Sequence, residues 1–295
     1  MQMLDGKLAS AAVKKQLQEK VLAHISQGKR APHLAAILVG SNGASETYVA
    51  SKVKNCEEIG FESTLIRLDE KVTEVELLAH IEQLNNNEGI DGILVQLPLP
   101  KHIKEQAVIE AIHPSKDVDG FHPINAGKLM QGMDCFIPAT PYGVVLLLQH
   151  YGIETKGKHA VVLGRSNIVG RPMSILLSNA SATGNCTVTL CHRNTENLAS
   201  ITQQADILVA AIGIPEFVTA DMVKPDAVII DVGITRVVDT TKKSGFAIKG
   251  DVKFNEVAPK ASFITPVPGG VGLMTIAGLL TNTLKAYEQN SVTVG

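Results

Sequence analysis

The stretch that most restricts the fold is an apolar run that passes through a glycine turn into a helical pattern. Ala160-Val161-Val162-Leu163 leads through Gly164-Arg-Ser-Asn-Ile-Val-Gly170-Arg-Pro172 into Met173-Ser174-Ile175-Leu176-Leu177. Strand, glycine turn and helix in that order aim backbone N–H groups and a helix N-terminus at one point, where a phosphate is stabilised. The phrase departs from G-x-G-x-x-G, because Ser166 stands in the second glycine position and Gly170 comes one residue late. Alone, it describes equally well a helix that merely starts close to a strand end.

Strands and helices alternate along the chain. A helix is predicted over about residues 7–27, with Leu8, Ala12, Leu17, Val21 and Ile25 on one side. Then come a strand at Leu34–Val39, a helix from Ser45 to Ile59 closed by Gly60, and a strand near Ser63–Leu68. A helix starts at Thr73, where Thr-Glu-Val-Glu reads as a capping box. A strand at Gly92–Leu97 and a short helix around Lys104–Ile112 follow. Residues 113–138 have weak periodicity and many Pro, Gly and Asp, which places a domain boundary there. Thr140-Pro141 reads as an N-cap and N1 proline opening a helix through Val144–Leu148. Strands are predicted at 159–163, 186–191, 206–212, 227–233 and 262–266, and a last amphipathic helix at about Leu273–Gln289 is placed to pack back on the first domain. Such alternation specifies parallel sheet covered by helices, hence an α/β protein. With 295 residues and about 150 per domain, two domains are expected, the second a doubly wound sheet starting at His159.

A net charge of −2 gives no general basis for nucleic acid or an anionic membrane as partner. The start, Met-Gln-Met-Leu-Asp-Gly-Lys, lacks the basic-then-apolar order of a signal peptide, and apolar stretches such as Ile207–Ile214 fall short of a membrane span. Cys56, Cys135, Cys186 and Cys191 show no C-x-x-C spacing, so no metal site or disulfide scaffold is indicated. Free thiols in a reducing cytosol fit that usage, and a cytoplasmic location is expected.

Several residues carry chemistry. In a doubly wound sheet an acid at the tip of the second strand selects NAD, whereas arginine accepts the 2′-phosphate of NADP. Here Cys186–Leu190 runs into Cys191-His192-Arg193-Asn194-Thr195, without a carboxylate. Arg193 and Arg165 are either two phosphate ligands or two solvated loop arginines. Gly213 and Gly233, at later strand ends, either admit a nicotinamide or simply turn the chain. Tyr48 and Lys52 share a helix face. Short-chain dehydrogenases carry a Y-x-x-x-K pair after their dinucleotide loop, whereas this pair precedes it, leaving a solvated lysine beside a tyrosine as the plain alternative. Gln96 in Gln-Leu-Pro-Leu-Pro ends an apolar strand, where open α/β sheets place ligands. In Lys116-Asp117-Val118-Asp119-Gly120 a carboxylate either accepts paired N–H donors of a heterocycle or lies in a solvated turn.

Taken in order, these phrases, with Val39-Gly40 and Ser45, Pro-x-Thr-Pro-x-Gly at 138–143 and Pro-Val-Pro-Gly-Gly-Val-Gly at 266–272, make the chain resemble the bifunctional methylenetetrahydrofolate dehydrogenase/cyclohydrolase family over essentially its whole length. Leu273 departs from the proline that usually precedes Met-Thr there. The resemblance implies a discontinuous catalytic domain, 1–122 plus 273–295, completed by the C-terminal helix, and a Rossmann-like NADP domain, 138–272. It implies NADP-dependent oxidation of methylenetetrahydrofolate, hydrolysis of the methenyl product, tetrahydrofolate derivatives as substrates, no metal, and a homodimer through the cofactor domain. It makes Lys52 the central catalytic residue, hydrogen-bonded by Gln96, with Tyr48 stacked on folate and Asp117 on the pterin. Pro268 and Gly272 would line the folate side, while Gly164, Arg165, Ser166 and Ile234 would contact NADP and Arg193 its 2′-phosphate. A shikimate-type dehydrogenase is disfavoured by Gln-Leu-Pro-Leu-Pro and Pro-Gly-Gly-Val-Gly, and a non-catalytic nucleotide-binding regulator by the presence of Lys52 and Gln96.

Overall fold

The computed structural model describes residues 1–242 and 245–292. The chain divides into two compact units, one of Met1–Ala11 with Thr140–Thr275, the other of Ala12–Ala139 with Ile276–Gly295. The last three positions of the expected 273–295 segment lie outside the described residues.

The chain opens with a two-residue strand, β1 (Gln2–Met3), and the helix Gly6–Ser26. Ala9, Leu17 and Val21 are buried, whereas Leu8 is 62% and Ile25 44% exposed. The apolar stripe therefore follows the i, i+4 row through Val21 and leaves the expected Leu8 and Ile25 in solvent.

The unit built on Ala12–Ala139 contains β2 (His33–Val39), β3 (Glu62–Leu68) and β4 (Gly92–Val95), a parallel sheet in the order β3-β2-β4. Both faces of β2 are buried, which explains its unbroken apolar run. Leu34, Ala36 and Leu38 join a cluster with Ile276, Leu279, Leu280 and Leu284 of the helix Val271–Val292. Ala35, Ile37 and Val39 face Leu77, Ile81 and Leu84 of the helix Glu74–Asn85. Thr73 starts that helix with a full capping box: Thr73 Oγ1 accepts from Glu76 N at 3.2 Å, and Glu76 Oε2 accepts from Thr73 N at 2.9 Å.

Within residues 113–138, predicted as a boundary, lies an eight-residue helix, Pro123–Met130. His122 caps it by accepting from Ile124 N at 3.1 Å through Nδ1. Two helical turns among Pro, Gly and Asp are too short to register as periodicity. The next helix is Ala139–His150, so Thr140 lies inside it and is not its N-cap; Thr140 Oγ1 accepts from Thr275 Oγ1 at 3.1 Å.

The other unit contains β5 (His159–Leu163), β6 (Thr187–Cys191), β7 (Ile207–Ala210), β8 (Val228–Asp231), β9 (Thr235–Val238), β10 (Phe246–Lys249) and β11 (Phe263–Ile264). Its main sheet is parallel throughout, in the order β1-β11-β8-β7-β5-β6. β6 and β7 thus lie on opposite sides of β5, so the winding reverses there, and ligands bind beyond the strand ends at such a reversal. β9 and β10 form an antiparallel ribbon that alternation did not predict. Exposure alternates along β9 but not β10, and each strand is only four residues long.

Candidate functional site

At the reversal, the turns after β5 and β7 come close together. Gly164 has φ +120°, and a Cβ on it would stand 2.1 Å from Ala211 O, so only glycine fits. Gly170 is equally constrained, since a Cβ there would lie 1.9 Å from Gly164 O. Ser166 Oγ accepts from Val169 N at 3.1 Å and Gly170 N at 3.3 Å, which satisfies two amides at the start of the helix Gly170–Ser178. Beyond these strand ends is a cavity of about 560 Å³ whose lining includes Gly164, Arg165, Ser166, Arg193 and Ala211. Among the described residues, no hydrogen bond or ion pair engages the guanidinium of Arg165 or Arg193. Two unspent cations, a Cβ-intolerant turn and a strand tip without a carboxylate fit a dinucleotide with a 2′-phosphate.

Ile234 lies elsewhere. It is 57% exposed and is not in the lining of that cavity. Its Cδ1 would be 3.0 Å from a Cβ on Gly272, so it meets the first turn of the helix Val271–Val292, just after the Pro-Val-Pro-Gly-Gly loop that holds Pro268. That loop is tied to the chain start, where Gly6 N donates to Gly269 O at 2.9 Å.

In the unit built on Ala12–Ala139, Tyr48 and Lys52 stand one turn apart on the helix Gly43–Glu58. Lys52 is only 4% exposed, so the solvated-lysine alternative does not hold. Lys52 Nζ donates to Gln96 Oε1 at 3.1 Å and stands 4.8 Å from the Tyr48 ring centroid. Gln96 N donates to Ile37 O at 2.9 Å, which extends the β2–β4 ladder and fixes the amide at the strand end. Gln96 Nε2 donates to Leu97 O at 2.6 Å, so its oxygen is the end left to face the lysine. Burial lowers the pKa of Lys52, and the charge of Asp119 opposes that shift.

The acidic segment divides its two carboxylates between different tasks. Asp117 is 2% exposed and accepts from Phe121 N at 3.2 Å, His122 N at 2.8 Å and Asn125 Nδ2 at 2.9 Å. Burial pushes its carboxyl up to about 6 in spite of those donors. Three of its roughly four acceptor sites are taken by donors of its own loop, which argues against its expected place on the pterin. Asp119 is the carboxylate that interacts with Lys52; burial raises its pKa and the lysine lowers it. Two acids at i, i+2 in extended chain point to one side. Spacing could not separate them; the turn at Val118–Asp119, closed by Gly120 N donating to Asp117 O at 3.1 Å, does so. Lys116 anchors the segment, donating to Leu84 O, Asn85 O and Asn87 O at 3.0, 2.8 and 2.8 Å. Asn282 Nδ2 also holds it, through Val118 O at 2.8 Å.

A doubly wound unit with a phosphate-accepting cavity, joined in one chain to an α/β unit that desolvates a lysine against an amide, defines a dinucleotide-dependent enzyme equipped for proton transfer. The chain belongs to the tetrahydrofolate dehydrogenase/cyclohydrolase family, whose catalytic domain matches residues 4–119 and whose NAD(P)-binding domain matches residues 138–291. It is 60% identical over 286 residues to the bifunctional protein FolD of Cytophaga hutchinsonii, covering 97% of this chain and 99% of that one. The crystal structure of FolD from Campylobacter jejuni is similar, with 50% identity, a TM-score of 0.91, and coverage of 98% and 99% of the two chains. So is the Trypanosoma brucei enzyme complexed with NADP cofactor and inhibitor, at 39% identity and a TM-score of 0.91, over 97% and 96% of the chains. Among the described residues, no helix is long and apolar enough to cross a membrane.

Proposed function

We propose that the chain oxidises 5,10-methylenetetrahydrofolate to 5,10-methenyltetrahydrofolate with NADP⁺ and hydrolyses that product to 10-formyltetrahydrofolate. Folate chemistry is assigned to 1–122 with 273–295, of which Met1–Ala11 pack instead with the dinucleotide unit through β1, and dinucleotide binding to 138–272. The observation that carries the reading is the buried Lys52–Gln96 pair, since a hydrolysis through a cationic carbon needs a proton acceptor near neutrality. When bound, NADP⁺ supplies the hydride acceptor. Gly164, Arg165, Ser166 and Arg193 would hold it, the arginines by charge-assisted hydrogen bonds to phosphate.

Neutral Lys52 takes a proton from water as its oxygen bonds to the methenyl carbon. The resulting ammonium returns that proton to N5 as the carbon–N5 bond breaks, and the remaining hydroxyl proton leaves as the formyl carbonyl forms. Gln96 holds Nζ in place, and burial beside a cationic substrate favours the neutral amine. Tyr48 offers its ring to the folate. Asp119, rather than Asp117, faces the pterin and the lysine. Ile234 and Gly272 make one contact, which we assign to ligand binding together with Pro268 of the preceding loop.

A homodimer through the dinucleotide unit and a cytoplasmic location belong to the same proposal. Sedimentation velocity tests the first. The function itself is tested by following methenyl absorbance with methylenetetrahydrofolate and either NADP⁺ or NAD⁺. Formation that depends on NADP⁺, followed by decay after the dinucleotide is exhausted, is expected; no turnover overturns the reading.

A further inference from the structure

Two aspartates that motif reading passed over are buried behind the dinucleotide cavity: Asp231, 4% exposed, and Asp251, 0% exposed. Asp231 ends β8 and accepts from Gly233 N, Asp251 N and Val252 N, each at 2.9 Å. Its own N–H donates to Thr265 Oγ1 at 2.7 Å. Asp251 Oδ2 accepts from Ile212 N at 2.7 Å and Gly213 N at 3.0 Å, and Ile212 lines the cavity. Asp251 Oδ1 is buried without a hydrogen-bond partner, and a Cβ on Gly233 would come within 2.3 Å of it.

This arrangement is expensive. A buried carboxylate with an idle oxygen loses solvation without full compensation, and a second carboxylate beside it adds repulsion. Burial and the charge of Asp251 push the Asp231 carboxyl up to about 7 despite three N–H donors. The local gain is geometric, because one acceptor atom fixes two consecutive amides of the turn after β7. Gly213, at φ +70° with nothing within 4 Å of its Cβ position, has no side chain to hold that turn.

We propose that Asp251, fixed in turn by Asp231, is a positioning residue that preforms the Ile212–Gly213 wall of the dinucleotide cavity. The inference rests on the reading that this cavity takes NADP⁺. A turn already ordered spares binding the cost of ordering it, so the residue acts on dinucleotide affinity without touching the ligand.

The test is calorimetric titration of NADP⁺ into the full chain, with the parent as control. Failure of the parent to bind would sink the functional reading, whereas the variants address the positioning alone. Asp251→Ala, melting in one cooperative transition, should raise the NADP⁺ dissociation constant about ten-fold or more. Asp251→Asn keeps an oxygen able to accept from both amides and should bind within about three-fold of the parent. Parent-like affinity in a folded Asp251→Ala protein overturns the proposal. So does an Asp251→Asn protein weakened ten-fold, which also keeps the proposal testable if the alanine variant does not fold.

Discussion

Lys52 and Gln96 come from elements distant in the chain, a helix and a strand end, yet Nζ reaches Oε1 at 3.1 Å. The amide leaves the lysine uncharged neighbours on that side, and Asp119 is the carboxylate that opposes desolvation. Lys52→Met should therefore cut hydrolysis of methenyltetrahydrofolate by about 10²–10⁴-fold, the usual extent of general acid–base assistance. Methionine keeps the apolar stem, so the melting temperature and NADP⁺ affinity should stay near the parent's. The dehydrogenase rate should fall less, since hydride transfer needs position more than a proton acceptor. A stable, fully active variant would remove Lys52 from the mechanism.

The two aspartates of the Asp-Val-Asp segment should separate in assay. Asp119→Ala is expected to raise KM for folate in both reactions by about 2 kcal/mol, roughly thirty-fold, with NADP⁺ binding unchanged. Asp117→Ala should instead lower stability, because Phe121 N, His122 N and Asn125 Nδ2 lose their acceptor at a cost of about 1–3 kcal/mol each. Steady-state kinetics and urea unfolding on both proteins decide the matter. A stable Asp117→Ala protein with a selective folate defect would return the role to Asp117.

Asp117 also predicts a pH dependence. Its carboxyl moves from 3.8 to about 6 on folding, chiefly through burial. As pH rises from about 4 to about 6, the unfolded chain releases a proton that the folded one retains. The group therefore contributes stability at the acid end, which is lost across that window and stays lost above it. Asp117→Asn cannot ionise and escapes the loss. Its unfolding free energy relative to the parent should rise by on the order of 3 kcal/mol between pH 4 and pH 7. A difference that does not change with pH would contradict this.

Arg193→Ser should raise KM for NADP⁺ and leave NAD⁺ little changed. One lost charge-assisted contact is worth about 1.5–3 kcal/mol, or roughly ten- to a hundred-fold. Equal use of NAD⁺ and NADP⁺ by the parent would be the contrary result.

Much of this molecule is legible in its sequence. β5 was located to the residue, because a strand buried on both faces reads as a bare apolar run. Thr73 announced its helix, since a capping box is written within one turn of sequence. Lys52 and Gln96 were found as residue types at a helix face and a strand end. Short or composite features escaped: β1, the Pro123–Met130 helix and the β9–β10 ribbon are too brief to establish a period.

The sequence alone determined the alternation of strands and helices, the glycines where backbone must approach backbone, and the absence of an acid at the β6 tip, because each is encoded within a few consecutive residues. Tertiary structure decided which of the two acids in Asp-Val-Asp interacts with Lys52, that Thr140 bonds Thr275 instead of capping its helix, and that Asp231 and Asp251 lie together behind the cavity. Those outcomes depend on burial and on hydrogen-bond partners remote in the chain. A carboxylate's role follows from which donors reach it after folding, and no local pattern records that.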